Sequence, residues 1–362
     1  MDSEYITPSI RLASRSDSRV WDDYILAHPA ATPYHLFAWK EAVEGAYGFK
    51  SYYLMAVDQN DVAGVLPLFF LKIPFGGGAL VALPYCDVGG PLTNDETAER
   101  SLLQTAIKLG LRLNAKSIDI RGAVLESTLH SAQYSIEEKQ DKVRMLLSLP
   151  PSSEELWQSF PSKLRSQVNK AKKNGLTFSF SQDLEAFYKI FADNMHELGS
   201  PVHSVAWIRS VLGSYGGRAK LGLVYHGQKA IGGGVVLNTD RLISIPWAST
   251  LREFNSLSPN MLLYWNLLKN SVERGFTEFD FGRSTRGEGT YRFKAQWGAM
   301  PAPLAWHILY FRKKAITGEV AVAQHVKITA FNKRAFAAKL WRFLPLGLAN
   351  QIGPVIRKFL SL

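Results

Sequence analysis

The densest group of side chains able to perform chemistry lies between residues 278 and 300, in the segment EFDFGRSTRGEGTYRFKAQWGAM. Its first part alternates apolar and polar residues as a strand does, so Asp280 and Gly282 share one face. Arg283 follows directly. We expect Asp280 to orient a substrate or accept a proton, and Arg283 to bind an anion. A structural Asp280–Arg283 pair that anchors the loop is the alternative.

The second part of this segment alternates aromatic and cationic residues. If residues 290–295 are extended, Arg292 and Lys294 point to the same side and can meet one anion together. Such a pair beside a cleft binds phosphate, or stabilises the oxyanion that forms when an amine attacks an acyl carbon. We place Tyr291 among the substrate contacts. An exposed edge strand protected by charges remains the alternative.

A second cationic segment covers residues 161–176, which contain five basic residues and no acid. Gly175 provides a helix stop, so the pattern predicts a short basic helix. Its side chains either form a solvated surface or bind phosphate, because like charges on one short helix repel each other until an anion arrives. The basic residues are Lys163, Arg165, Lys170, Lys172 and Lys173.

The chain repeats one order of elements in its two halves. Turns at residues 58–61 and 226–229 each separate two strand patterns. Each half continues through further strands to a helix, at 100–113 or 260–274, and then to a strand with an acidic residue. The pattern predicts two copies of one α/β unit with mixed, mostly antiparallel sheets.

Two aromatic residues occupy equivalent places in these repeats, Tyr85 in LPYCDVGG and Trp247 in IPWAST. They either line a cleft and contact substrate or belong to the core. The triplets Gly76–Gly78 and Gly232–Gly234 match neither dinucleotide-binding nor P-loop spacing, and indicate bulges or close backbone approach.

Several chemistries are excluded by residue usage. The histidines show no pair at helical metal-binding spacing beside a carboxylate, so we expect no metal site. Cys86 is the single cysteine and has no neighbouring base, and no G-x-S-x-G sequence occurs, so we expect no covalent nucleophile. Without disulfides, a cytoplasmic, reducing location fits best.

Length and composition allow two ordinary cores in 362 residues of which 46% are apolar. No secretory signal is recognised at the N-terminus, and residues 62–86 contain too many prolines and glycines for a membrane helix. Consecutive prolines at 150 and 151 suggest a boundary. We therefore predict a first domain at 1–150, a second with the active site at 151–310, and a tail at 311–362.

The tail holds most of the formal net charge of +11, with ten basic residues against the single acid Glu319. Bulky apolar residues are interleaved, which predicts basic amphipathic helices. Three interpretations of the tail remain open: docking on the protein body, binding to an anionic membrane surface, and contact with nucleic acid. The second would make the protein peripheral on the inner face of the membrane.

Four motifs together, YCDVGGPL, KLRSQVNKAKKNGL, FDFGRS and GTYRFKAQWGA, resemble FemAB-like proteins, in particular the branch associated with exosortase/PEP-CTERM exopolysaccharide loci. The likeness covers residues 32–306. It implies two tandem GNAT-like (Gcn5-related N-acetyltransferase) domains. Lys294 matches the lysine of the family motif Y-x-F-K-x-x-(F/W)-G, which is proposed to assist acyl transfer. Asp280 corresponds to the acidic residue of F-D-F-G.

By the same resemblance, Arg165 and Lys172 fall in a basic motif that suggests precursor or RNA phosphate contacts. FemABX members transfer amino acids from aminoacyl-tRNA to a cell-wall precursor. We therefore expect an acyl- or aminoacyltransferase that acts on an amine of a cell-envelope or exopolysaccharide precursor, with aminoacyl-tRNA or acyl-CoA as the acyl donor and no bound cofactor; the resemblance alone favours charged tRNA. The alternatives are an acyl-CoA-dependent N-acyltransferase, although a standard acetyl-CoA loop is absent, and a non-catalytic membrane-associated partner of polysaccharide assembly.

Overall fold

The computed structural model describes residues 8–59, 61–73, 77–122, 133–312 and 330–361. The helices are α1 (Ser18–Ala27), α2 (Phe37–Tyr47), α3 (Glu96–Arg112), α4 (Ser153–Ser159), α5 (Ser162–Lys173), α6 (Leu184–Glu197), α7 (Val205–Tyr215), α8 (Pro259–Glu273), α9 (Gly289–Ala295), α10 (Ala330–Phe343) and α11 (Leu346–Arg357).

Two sheets are formed by fifteen strands within these described ranges. They are β1 (Ser9–Leu12), β2 (Lys50–Asp58), β3 (Asp61–Ile73), β4 (Gly77–Ala82), β5 (Leu92–Thr93), β6 (Ala115–Arg121), β7 (Tyr134–Lys139), β8 (Lys142–Ser148), β9 (Leu176–Ser181), β10 (Ala219–His226), β11 (Lys229–Asn238), β12 (Leu242–Thr250), β13 (Glu278–Thr285), β14 (Met300–Pro303) and β15 (Trp306–Phe311).

Both sheets are mixed and mostly antiparallel, as predicted. The first has the order β1-β2-β3-β4-β6-β15-β7, with β5 paired to β3, and only β4 and β6 run parallel among its described pairs. The second has the order β14-β8-β13-β12-β11-β10-β9, with β12 and β13 parallel. β2 pairs antiparallel with β3, and β10 with β11, as the two predicted turns require, and α3 and α8 confirm the two predicted repeat helices.

The two sheets exchange strands across the predicted domain limits. β8 precedes residue 150 but pairs with β13 and β14 in the second sheet. β15 follows β14 and returns to the first sheet, where it lies between β6 and β7. The prolines at 150 and 151 thus mark a turn inside the second unit, after which Ser152 caps α4 by accepting a bond from the Glu155 amide at 3.2 Å.

One continuous apolar core joins the two halves. The indole of Trp39 on α2 contacts that of Trp207 on α7 edge-to-face, with ring centroids 5.1 Å apart. The hydroxyl of Tyr215 donates to the Pro33 carbonyl at 2.6 Å. Because these contacts are buried, the two halves pack against each other through a shared core.

The two faces of the second sheet have different partners. On one face, α5 and α8 share a core with Val224 and Val236. On the other, α6 and α7 pack with Leu223 and Val235 toward the first half. The backbone at Gly233 is approached closely by its neighbours, as predicted for this glycine triplet. A side-chain carbon at this position would lie 2.7 Å from Leu223 and 3.0 Å from Phe187 of α6.

The C-terminal segment docks on the body as two helices, α10 and α11. The His196 ring and the Leu344 carbonyl are 2.9 Å apart, and the small residues Ala349 and Gly353 are buried against the body. Three basic residues of the predicted tail, Lys313, Lys314 and Lys327, lie outside the described residues, as does Glu319. No helix of the described part of the chain is long and apolar enough to cross a membrane.

Candidate active site

The divergence of two parallel strands creates the candidate site. β12 and β13 pair only from Leu242 with Glu278 to Ser244 with Asp280, and then separate. A cavity of about 310 Å³ lies at this separation and reaches the first half of the chain. Its lining consists of Tyr34, Tyr85, Cys86, Asp87, Phe191, Asn194, Met195, Leu198, His203, Ile245, Pro246, Trp247, Ala248, Ser249, Phe281, Gly282, Arg283, Lys294 and Arg357.

Lys294 projects from α9 into this cavity. Its Nζ donates to the Arg283 carbonyl at 2.7 Å and to the Gly282 carbonyl at 3.1 Å. Both carbonyls lie beyond the last β12–β13 pair, so the ammonium holds β13 where the ladder has ended. Burial lowers the pKa of Lys294 to about 8, while the Asp87 and Asp280 carboxylates oppose this shift. An ammonium has three donors, so one remains for a ligand.

The expected pairing of Arg292 with Lys294 on one side is wrong. Residues 289–295 form a helix, in which positions two apart point in nearly opposite directions. Phe293 packs edge-to-face on Tyr264 of α8 with centroids 5.0 Å apart, and this contact orients the helix. Arg292 is exposed and does not line the cavity; Tyr291 packs against the core of the second unit instead of the cavity.

Asp280 is paired, but with a different partner than expected. Its Oδ2 accepts from Arg144 Nε of β8 at 2.7 Å, and its Oδ1 accepts from the Gly282 amide at 2.8 Å. The alternative of a structural Asp280–Arg283 pair is therefore wrong, because the partner of Asp280 is Arg144. With 2% of the residue exposed and both oxygens engaged, Asp280 is placed to orient β13 and not to accept a substrate proton.

Arg283 forms its ion pair with Asp87 of the first half. Asp87 Oδ2 accepts from the Arg283 amide at 3.0 Å, and its Oδ1 lies 3.4 Å from Arg283 Nε. The guanidinium also lies over the Trp306 ring, 5.3 Å from its centroid. Arg283 thus lines the cavity as expected, with much of its charge already compensated by Asp87.

Tyr85 and Trp247 both line the cavity, from the first and second half respectively. The Tyr85 ring lies 5.3 Å from His203, and its hydroxyl donates to the Lys358 carbonyl at 2.6 Å. Both residues are also buried, so the two alternatives considered for them describe the same position.

The basic helix lies away from this cavity. α5 covers residues 162–173 and ends before Gly175, as predicted. Arg165 donates to Gln158 at 2.9 Å, and Lys172 is exposed with Nζ 5.7 Å from the Trp157 ring centroid. Neither side chain lines the cavity that contains Lys294, and their contact with precursor or RNA phosphate stays a prediction.

Three cavity residues were not identified as site residues from the sequence: Asp87, His203 and Arg357. Asp87 lies inside the YCDVGGPL motif, which is the one available signal. His203 and Arg357 reach the cavity through α7's leading segment and α11, and no local pattern indicates that they meet. Burial raises the pKa of the Cys86 thiol, whose Sγ lies 3.1 Å from both the Leu83 and the Val88 carbonyl oxygens, so this cysteine is not activated as a nucleophile.

The second unit matches a known domain family. Residues 158–295 match the sequence profile of the acetyltransferase (GNAT) domain, a range that contains β9 to β13 and Lys294. No curated protein sequence is significantly similar to the chain.

Solved structures resemble the whole fold. A crystal structure of FemX aligns with 84% of this chain and 97% of its own chain, at 16% identity and a TM-score of 0.68. A tandem GNAT protein from the clavulanic acid biosynthesis pathway aligns with 85% of this chain and 100% of its own, at 12% identity and a TM-score of 0.53. The predicted tandem GNAT-like fold is confirmed.

Proposed function

We propose that the protein transfers an acyl group to an amine, in the cavity between its two halves. The observation that supports this most directly is the partly desolvated ammonium of Lys294, held where β12 and β13 separate. A cation in a site from which water is largely excluded stabilises a developing oxyanion much better than one in bulk water. The GNAT-domain match over residues 158–295 agrees with this chemistry.

In this reaction the acceptor amine attacks the acyl carbonyl carbon. The new C–N bond forms as the carbonyl oxygen becomes an oxyanion beside Lys294; the C–O or C–S bond to the leaving group then breaks, and the amine proton passes to the departing oxygen or sulfur. Trp247 and Tyr85 provide apolar walls that exclude water, and Arg283 with Asp87 fixes one end of the cavity.

For the acceptor we propose an amine of a cell-envelope or exopolysaccharide precursor, following the resemblance to the exosortase/PEP-CTERM-associated FemAB branch. Aminoacyl-tRNA and acyl-CoA are the two candidate donors. Because Arg165 and Lys172 do not line the cavity, they give a tRNA donor less support there than the sequence pattern suggested. The enclosed position of Lys294 favours an enzyme over a non-catalytic assembly partner.

The donor is tested by incubating the full chain separately with charged tRNA and with acyl-CoA, each labelled in the acyl group, together with an amine acceptor. Acyl transfer that survives ribonuclease identifies a thioester donor, and transfer abolished by ribonuclease identifies tRNA. If neither donor loses its acyl group to an amine, the proposed function is wrong.

We also propose that the C-terminal helices rest on an anionic membrane surface. α11 buries its small residues and leaves large apolar residues exposed, with Leu348, Ile352 and Val355 on one face. Residues 330–362 contain no acid and six basic residues. Basic helices with exposed bulky aliphatic side chains are attracted to anionic lipid and bury their apolar face in the interface.

A further inference from the structure

The C-terminal segment closes one side of the cavity and contacts both halves. The Ser361 carbonyl accepts from the Tyr85 amide at 2.7 Å and from Arg121 at 3.3 Å. A side-chain carbon at Gly353 would lie 3.1 Å from the Val202 amide nitrogen, so α11 approaches the second half closely. The position of the end of α11 is therefore fixed relative to the cavity.

Arg357, the last residue of α11, lines the cavity. Its Nε donates to His203 Nε2 at 3.1 Å. Since a guanidinium has only donors, His203 Nε2 accepts, and burial lowers the pKa of His203 well below its usual value. The neutral ring then carries its proton on Nδ1, 2.9 Å from the Tyr47 hydroxyl. His203 therefore orients Arg357 without neutralising it.

The charges that line the cavity do not balance. Three cations face it, Arg283, Lys294 and Arg357, against the single carboxylate Asp87 among its lining residues. Asp87 is already paired with Arg283. Among the side chains that the structure describes, no carboxylate lies within ion-pair distance of Arg357. Arg357 is partly buried, and holding a partly buried cation without a counter-charge is costly; an anionic ligand removes this cost.

We infer that Arg357 binds an anionic group of the substrate, a phosphate or a carboxylate, and that the C-terminal helix thereby completes the binding site. This inference deepens the proposed function, on which it rests for assigning the anion to the acyl donor or acceptor. The planar fork of an arginine suits both anions, because each offers two oxygens to parallel N–H donors. Lys294 and Arg357 then act on separate atoms of one ligand, the reacting carbonyl and the anchoring anion.

The test measures anion binding without acyl transfer. The full chain is titrated calorimetrically at low ionic strength with inorganic pyrophosphate and, separately, with malonate; the stronger of the two identifies the anion class. We expect saturable binding that is weakened at least about tenfold in Arg357→Gln. Arg342→Gln is the matched control, because Arg342 is exposed in the same segment and does not line the cavity.

Circular dichroism and thermal unfolding establish that Arg357→Gln is folded. If it is not, Arg357→Lys serves instead, which keeps the charge but loses the fork, and is expected to bind more weakly than the native chain. Absence of binding by the native chain, or unchanged binding by the folded variant, overturns the inference. Failure of acyl transfer with both donors overturns the proposed function separately, since no transfer is measured here.

Discussion

At the scale of single residues, the protonation state of Lys294 depends on its burial and on the hydrogen bonds that its ammonium donates. Two backbone carbonyls accept from its ammonium, yet burial still lowers its pKa to about 8. Its protonation therefore changes in an accessible pH range, whereas an exposed lysine would titrate well above it. This difference makes the proposed role of the ammonium measurable.

If the cationic form stabilises the oxyanion, kcat/KM falls as pH rises through about 8, because the fraction of protonated Lys294 decreases. Lys294→Arg keeps its charge and should lack this fall, and Lys294→Ala should lower kcat by about 10²-fold or more without unfolding the protein. Initial rates are measured from pH 6 to 10 for the native chain and for both variants. A rate that rises through pH 8 in the native chain but not in Lys294→Arg would instead assign Lys294 as a base.

Asp280 illustrates a residue that the sequence marks as chemical and the structure uses for architecture. Its pair with Arg144 ties β13 to β8; the Asp280 side chain is buried, with 3% exposed, and the Arg144 side chain is 13% exposed. Removing one partner leaves an uncompensated buried charge, which costs about 3–5 kcal/mol. We expect Asp280→Asn to lower the free energy of unfolding by roughly 3 kcal/mol, measured by urea denaturation.

The control for this change is Asp240→Asn, since Asp240 also pairs with an arginine, Arg218, but at 66% and 36% exposure. An exposed pair is screened by solvent, so this variant should unfold close to the native midpoint. Equal destabilisation by the two substitutions would show that the Asp280–Arg144 pair has no special structural role.

At the scale of elements, regular periodicity was sufficient for most of the fold and insufficient for α9. The helices α3, α5 and α8 have long amphipathic patterns and identifiable stops, so their positions follow from the sequence. Residues 291–294 alternate over only four positions, which fits a strand as well as a short helix. The packing of Phe293 on Tyr264, a residue distant in sequence, decides between them.

Strand pairing could not be predicted either, because it too depends on contacts between residues that are distant in sequence. The order of elements along the chain shows two units, but it does not show that β8 leaves the first range and β15 leaves the second. The same difference is seen among the cavity residues. Lys294 lies in a recognisable sequence motif, whereas Arg357 lines the cavity only because α11 docks on the protein body. Long-range contacts of this kind have no local sequence pattern.

The strand exchange predicts which fragments fold. The range 151–310 lacks β8, the neighbour of both β13 and β14, whereas 141–303 contains all seven strands of the second sheet. We expect the fragment 141–303 to show cooperative thermal unfolding by circular dichroism. We expect the fragment 151–310 to show none, because without β8 the backbone groups of β13 that face β8 have no partner and β14 has no neighbouring strand. Equal cooperativity of the two fragments would contradict the observed division.

At the scale of the whole molecule, charge and apolar surface are concentrated on the same C-terminal helices. Exposed large apolar residues gather there: Leu340, Phe343, Leu346, Leu348, Ile352, Val355, Ile356 and Leu360. The basic residues Lys339 and Arg342 are exposed beside them. Because α11 also delivers Arg357 to the cavity, a membrane surface under these helices would bring the site close to amphipathic acceptors.

Membrane binding is tested by replacing only the outward face of α11. Leu348→Ser, Ile352→Ser and Val355→Ser together keep the buried Ala349 and Gly353, so the helix should stay docked. We expect sedimentation with vesicles rich in anionic phosphatidylglycerol to fall at least about tenfold, since each exposed aliphatic side chain contributes on the order of 1 kcal/mol when buried. Vesicles of zwitterionic phosphatidylcholine should bind the native chain weakly, and high salt should release it.

The matched control replaces three exposed apolar residues elsewhere, Leu12, Val20 and Met300, with serine. These positions lie outside the C-terminal helices, so the control should bind anionic vesicles as the native chain does. If both triple variants bind alike, the exposed face of α11 is not the membrane contact. If the native chain binds neither kind of vesicle, its apolar face has another partner, while the geometry of Arg357, which rests on its hydrogen bond to His203, is unaffected.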